Sequence, residues 1–265
     1  MRVFICVDME GIAGVTTFDE TTMGKPDYEH FRRQMQRETS AAVRGAQHAG
    51  ATHIVVRDGH DTACNLLPSE LPAGVLLIRN WSGGLYGMME GIDDSFDAVV
   101  FVGHHAKANT PNAILKHTMS MRIIDLRVNG LSLPEVGWNA LIAGYHGVPV
   151  VFVSGDKALC TQAEALFEGV VSCAVKEGLG ASALLMHPDT CCHAIEREVS
   201  RALSARGEGK PFVLGDEYTV EIEFNSEEWA HRGQWYPGVE RLDSRTLQYK
   251  SNDFLDCLRF FTFVT

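Results

Sequence analysis

Short apolar runs, polar loops and longer amphipathic stretches alternate along this chain. Residues 3–7 (VFICV) are continuously apolar and stop at Asp8, with Gly11 and Gly14 close behind. A short apolar run bounded by turn residues predicts a buried strand. Similar runs follow at 53–57 (HIVVR), 75–78, 98–102 (AVVFV) and 148–153 (VPVVFV). Residues 28–48 place Phe31, Met35, Ala42, Val43 and Ala46 at helical spacings and end before Gly50, which predicts an amphipathic helix with a glycine stop. Further helices are predicted over 135–146, 158–167 and 190–205, the last with a charged outer face. At 123–133 two β-like runs flank Asn129-Gly130, the signature of a tight hairpin.

The texture changes after the polar residues 205–211 (ARGEGKP). Residues 219–224 (TVEIEF) alternate as a half-exposed strand does, and 253–264 read as a closing helix or strand. Strands alternating with helices through the first two thirds predict an α/β fold: a largely parallel sheet flanked by helices, with a smaller C-terminal α+β lobe. The expected division is a core over 1–205 and a lobe over 206–265. The chain shows no internal repeat and no low-complexity segment.

Composition narrows the partners. With 265 residues, 45% apolar and 22% charged, the chain can bury a proper core. Its net charge of -11 argues against nucleic acid, whose phosphates require basic patches, and mildly against an anionic membrane surface. No apolar stretch approaches the ~20 residues of a membrane span, and an acidic pair comes too early for a signal peptide. The 7 cysteines include no C-x-x-C pair, which suits reduced thiols and a cytoplasmic location.

Candidate chemistry gathers at the strand ends. In open α/β sheets ligands bind beyond the carboxyl ends of the strands. The first run leads into Asp8 and Glu10, the second into Asp58-Gly59-His60-Asp61, and the fourth into Gly103-His104-His105. Asp8 and Glu10 share a face in extended chain, so they repel unless a proton or a cation joins them. Carboxylates and imidazoles without thiolates suit zinc, manganese or iron. Adjacent strand residues face opposite ways, so His104 and His105 do not easily share one metal, and periodicity does not choose between them. Glu135 opens a helix and His117 precedes a β-like segment; on pattern alone each is ambiguous.

The runs VDMEGIAG, RDGHD, GHHAKANTP, KHTM and PEVGWNA, in that order from Val7 to about Gly155, resemble the D-aminopeptidase family of the DppA type. The resemblance implies a dinuclear zinc peptidase that releases N-terminal D-amino acids from short peptides such as D-Ala-D-Ala. It implies Asp8, Glu10, His60, His105 and Glu135 as ligands of two zinc ions, with Mn²⁺ or Co²⁺ as substitutes, and His117 as the catalytic histidine. His105 is preferred over His104 because the family motif has one histidine followed by a small and then a basic residue. The resemblance also implies a ring-shaped homo-oligomer, a decamer. Two metals explain why the paired carboxylates are tolerated.

Around this set, Asp58 is a candidate to orient His60 or to ligate, and His104 adjoins the ligands. Lys107 could neutralise a substrate carboxylate or sit solvated in its loop. One rival reading is a dinuclear metallophosphoesterase, since Asp58-Gly59-His60, Gly103-His104-His105 and Gly155-Asp156 faintly match its elements. Their order is unsuitable and basic residues are scarce nearby. The other rival is a non-catalytic metal-binding ring protein, against which all six positions are occupied.

Overall fold

The structure, a computed structural model, describes residues 1–205 and 209–265. In chain order the first half contains β1 (Arg2–Val7), α1 (Tyr28–His48), β2 (His53–Asp58), β3 (Val75–Ile78), β4 (Ala98–His104), β5 (Ile123–Val128), β6 (Leu131–Ser132) and α2 (Glu135–Tyr145). Then follow β7 (Val150–Asp156), α3 (Lys157–Leu166), β8 (Val171–Leu179), β9 (Ser182–Leu185) and α4 (Pro188–Ser204). The chain closes with β10 (Tyr218–Phe224), α5 (Glu227–Gly233), β11 (Glu240–Arg241), β12 (Thr246–Ser251) and α6 (Phe254–Val264).

The apolar runs assemble a 7-stranded sheet in the order β3-β2-β1-β4-β7-β8-β9. Its pairs are parallel except β8 with β9. From β1 the winding goes outward to β2 and β3, then reverses to β4 on the other side. That reversal opens a crevice at the carboxyl ends of β1 and β4, the general place for a ligand in such sheets. Continuous apolar runs serve this sheet because both faces are covered. Val3, Ile5 and Val7 pack with α1 and α4, whereas Phe4 and Cys6 join the core on the opposite face.

On that opposite face lies a second sheet of 5 strands, in the order β11-β12-β10-β5-β6, antiparallel throughout. It takes β5 and β6 from between β4 and α2, joined by the Asn129-Gly130 turn with both residues at positive φ, and its remaining strands from the C-terminal part. The boundary expected near residue 206 falls at 206–208, outside the described residues. Apart from Glu135 and Asn139, helix α2 is apolar on every side from Val136 to Gly144, and every residue from Glu135 to Gly144 is buried. A helix of that character belongs in an interior. Trp138 stacks obliquely on Phe261 of α6 at 4.7 Å between ring centres, so α2 is held between the two sheets.

The hairpin β8–β9, helix α5 and strands β11 and β12 had no counterpart in the sequence pattern. The closing segment is a helix. The strands β4 and β7 also run further than their apolar cores, to His104 and Asp156.

Backbones approach closely where the crevice forms. A Cβ on Gly11 would lie 1.7 Å from the His104 carbonyl oxygen, and one on Gly155 1.9 Å from the same atom. Neither clash can be relieved by turning a side chain. Gly11→Ala should therefore cost about 1–3 kcal/mol, as overpacking does, read as a lowered midpoint in thermal unfolding of metal-free protein. An unchanged midpoint would mean that the strands separate more easily than this packing allows.

Candidate metal centre

Asp8 and Glu10 leave β1 on a turn that crosses the end of β4. Asp8 N–H donates to Val102 O at 2.9 Å and Gly11 N–H to Gly103 O at 2.7 Å. His60 follows β2, and its Nδ1 lies 3.2 Å from Asp8 Oδ1 and 2.9 Å from Glu10 Oε2. Its Nε2 is 2.8 Å from the Thr21 carbonyl, which aims Nδ1 at the carboxylates. Beyond β4, His105 Nε2 is 3.5 Å from Asp8 Oδ2 and 3.7 Å from Glu135 Oε2. Glu135 arrives from the other direction, as the first residue of α2 behind Pro134.

His104 departs from strand alternation. Gly103 sits at φ 72°, and the register of β4 against β7 shifts between Phe101 and His104. This kink brings His104 Nδ1 to 3.8 Å from Asp8 Oδ2, the oxygen that His105 also approaches. The two imidazoles thus meet one carboxylate, contrary to the expectation that they diverge. They differ in support. His105 Nδ1 is 3.1 Å from the Ala106 carbonyl, which presents a bare Nε2 to the carboxylates, the usual arrangement of a ligating imidazole. Neither nitrogen of His104 has a partner, and its ring packs edge-on against Phe101.

Two expectations are corrected. Asp58 does not touch the His60 ring: its oxygens accept from Asn65 N, Asn65 Nδ2 and Leu66 N at 2.6–2.8 Å. Asn65 Nδ2 in turn donates to the His60 carbonyl at 2.7 Å, so Asp58 braces the loop rather than the imidazole. Lys107 turns away from the crevice and donates to Ser132 Oγ, which bonds Asp125. The sequence pattern predicts the hairpin that carries β6 but not its packing against Lys107.

His117 comes from the long connection between β4 and β5. Its ring stacks on His105 with centres 3.9 Å apart and planes 13° from parallel, and Nε2 lies 4.0 Å from Glu10 Oε1. Leu115 and Met119 on either side hold φ of 54° and 61°, a backbone conformation that bulky residues adopt only under constraint. Part of that constraint is visible: Met119 N–H donates to Glu135 Oε2 at 2.8 Å. His117 also lines a cleft of about 470 Å³ whose floor is Asp8, Glu10, His60 and Glu135, with Phe18, Trp81, Met88 and Met121 among its walls.

The donor set fits divalent metal. Ligand atoms of Asp8, Glu10 and His105 lie within 4.8 Å of one another, as do those of Asp8, His104 and Glu135, and of His105, His117 and Glu135. The buried His105 Nε2 has no hydrogen-bond partner. Carboxylate oxygens and neutral imidazoles are zinc donors.

The chain matches the D-aminopeptidase family over residues 1–263. It is 32% identical to the D-aminopeptidase of Bacillus subtilis (strain 168) over 260 residues, 97% of this chain and 93% of that protein. The chain belongs to the D-aminopeptidase family. The solved structure of a Zn-dependent D-aminopeptidase, DppA from Bacillus subtilis, described as a self-compartmentalizing protease, superposes with a TM-score of 0.95 at 30% identity. That match covers 100% of this chain and 96% of the other.

Within this D-aminopeptidase scaffold the metal-free charges conflict. Burial, reinforced by the charge of Asp8, pushes the Glu135 carboxyl up to about 8. Burial, then the neighbouring His117 charge, pulls His105 down to about 3, leaving the neutral form that can ligate. For His60, burial opposes protonation, but Glu10 and Asp8 outweigh it and hold the imidazolium well above its usual range. Burial likewise opposes ionisation of Glu10, which the His60 charge and hydrogen bond nonetheless keep well below the carboxylate range. His60 thus supplies the positive charge that a metal would otherwise bring.

Zinc held by His60 and Glu135 near neutral pH would have to displace their protons. Both groups have raised folded values, so the stability that they lend the metal-free protein is lost as pH rises toward those values. Glu10, already ionised, adds no change there. Zinc affinity should rise from about pH 6 to about pH 8, and the zinc-loaded form should gain in unfolding midpoint over the metal-free form across that range. Calorimetry in buffers of different ionisation enthalpy should register proton release; zinc uptake without released protons would contradict this charge assignment.

Proposed function

We propose that this chain is a zinc-dependent D-aminopeptidase that hydrolyses short peptides with a free N-terminal amine, D-Ala-D-Ala among them. In this reading Asp8, Glu10, His60, His105 and Glu135 hold two zinc ions, and His117 acts on the substrate. The observation that carries it is the convergence of β1, the β2 and β4 loops and the start of α2 on one cleft, with His117 at its edge. Zinc there would supply Lewis-acid polarisation of the peptide carbonyl and a lowered pKa for water.

The chain's own groups define the remaining tasks. Among the described residues no Lys or Arg lines the cleft, while Asp8, Glu10, Asp61 and Glu135 do. The lining thus offers a phosphate ester no side-chain cation, which weakens the phosphoesterase reading. His117 is 13% exposed and so reaches substrate. Its charged form is favoured despite burial by Glu135 and then Glu10, which suits a group that gives a proton to the leaving amine; attack by its imidazole on the carbonyl is the other role open to it.

We assign the enzyme to the cytoplasm and to a ring of copies, a decamer. The cysteines are free thiols, which fits a reducing compartment, and among the described residues no helix is long and apolar enough to cross a membrane. Leu179, Leu184 and Leu185 on the β8–β9 hairpin are exposed, an apolar surface of the kind that self-association covers.

Metal content and turnover on the same preparation test the assignment. His117→Ala should keep its zinc and its fold while hydrolysis of D-Ala-D-Ala falls ~10²–10⁴-fold; full metal with near-normal turnover would remove His117 from the reaction. His105→Ala should lose zinc and activity together, whereas His104→Ala should retain zinc. The opposite pattern in metal analysis would exchange their roles.

A further inference from the structure

The turn carrying Asp8 and Glu10 has no regular secondary structure, and it must hold a carboxylate in place within a buried site. Its backbone is gripped from beneath. The carbonyls of Glu10, Ile12 and Val15 all accept from one ammonium, Lys176 Nζ, with 3.2 Å to Ile12 and 2.7 Å to Val15. An ammonium has three donors, and here each goes to this one turn. From α1, Glu38 Oε1 accepts from Ala13 N–H at 2.8 Å.

Lys176 belongs to β8, is only 3% exposed, and lies outside the residues that line the cleft. A buried ammonium is costly unless its charge and donors are satisfied. It forms no direct ion pair among the described residues, although Asp156 and then Glu38 are the opposing charges that act on it most strongly. Its hydrogen bonds go instead to backbone oxygens, as those around a bound monovalent cation do. Asp156, beside it in the sheet register, accepts from Ala106 N–H at 3.2 Å, next to His105.

We propose that Lys176 is a positioning residue for the metal centre, a built-in monovalent cation whose contact with the Glu10 carbonyl sets where the Glu10 carboxylate stands. This rests on the zinc reading of Glu10. Removing the ammonium would leave the carbonyls of Glu10, Ile12 and Val15 without their donor and free the turn to shift. Residues that orient ligands typically cost 10–100-fold in metal affinity when lost.

The test is zinc affinity of the full chain by competition with a chromogenic chelator, comparing wild type, K176M, E10Q and the double variant. K176M should bind its weaker zinc about 10–100-fold less tightly. In the E10Q background the same change should have an effect under about twofold, because it acts through Glu10. Amides of Gly11 and Ala13 in metal-free K176M should exchange hydrogen about tenfold faster than in wild type. Unchanged affinity and exchange in K176M would overturn the proposal, and so would an equal loss of affinity with and without Glu10, the mark of general weakening. Should K176M not fold, K176Q carries the same comparison, with the same losses expected and unchanged values overturning it. Failure of wild type to bind zinc would remove the metal reading itself, while the exchange comparison would still decide whether Lys176 holds the turn.

Discussion

Three carboxylates share a buried crevice, and their mutual repulsion is the constraint around which this protein is organised. Asp8, Glu10 and Glu135 are each at most 5% exposed, so solvent screens them little. Without metal the conflict is eased by protons, one on His60 and one within the Glu135–His117 pair. Divalent cations would resolve it by charge, with the same side chains as the proposed ligands. A site that is strained when empty is a site with strong reason to be filled.

That crowding is tolerated because the scaffold leaves little room for the groups to separate. The turn after β1 stays hydrogen-bonded to the end of β4, and glycines at 11, 103 and 155 let three backbones meet within the width of one missing methyl group. Asp58 secures the His60 loop through Asn65 and Leu66. Lys176 and Glu38 bind the turn of Glu10 from two other elements. Folding energy from elsewhere in the core thereby holds like charges together.

The small antiparallel sheet gives the centre its other half. The chain leaves β4 at His105, passes His117, builds β5 and β6, and returns through Pro134 to Glu135. One excursion therefore contributes the residue proposed to act on substrate and a proposed ligand. Met119 N–H on Glu135 ties the two ends of that excursion together.

Much of this was legible in the sequence by itself. Apolar runs marked the central strands, Asn129-Gly130 marked the hairpin, and the acidic and imidazole groups at three strand ends marked the site, because buried strands and turn chemistry are local properties. Glu38 and Lys176 left a trace as well. The first interrupts the apolar stripe of α1 between Met35 and Ala42, and the second is a lysine that directly follows the run VSCAV. Nothing local told what either would touch. Tertiary structure alone decided that Lys107 meets Ser132, that Asp58 serves its loop, and that a positive φ at Gly103 turns both His104 and His105 toward Asp8. The physical reason is common to all three: periodicity fixes the direction of a side chain only relative to its own element, whereas contact depends on where separate elements are packed.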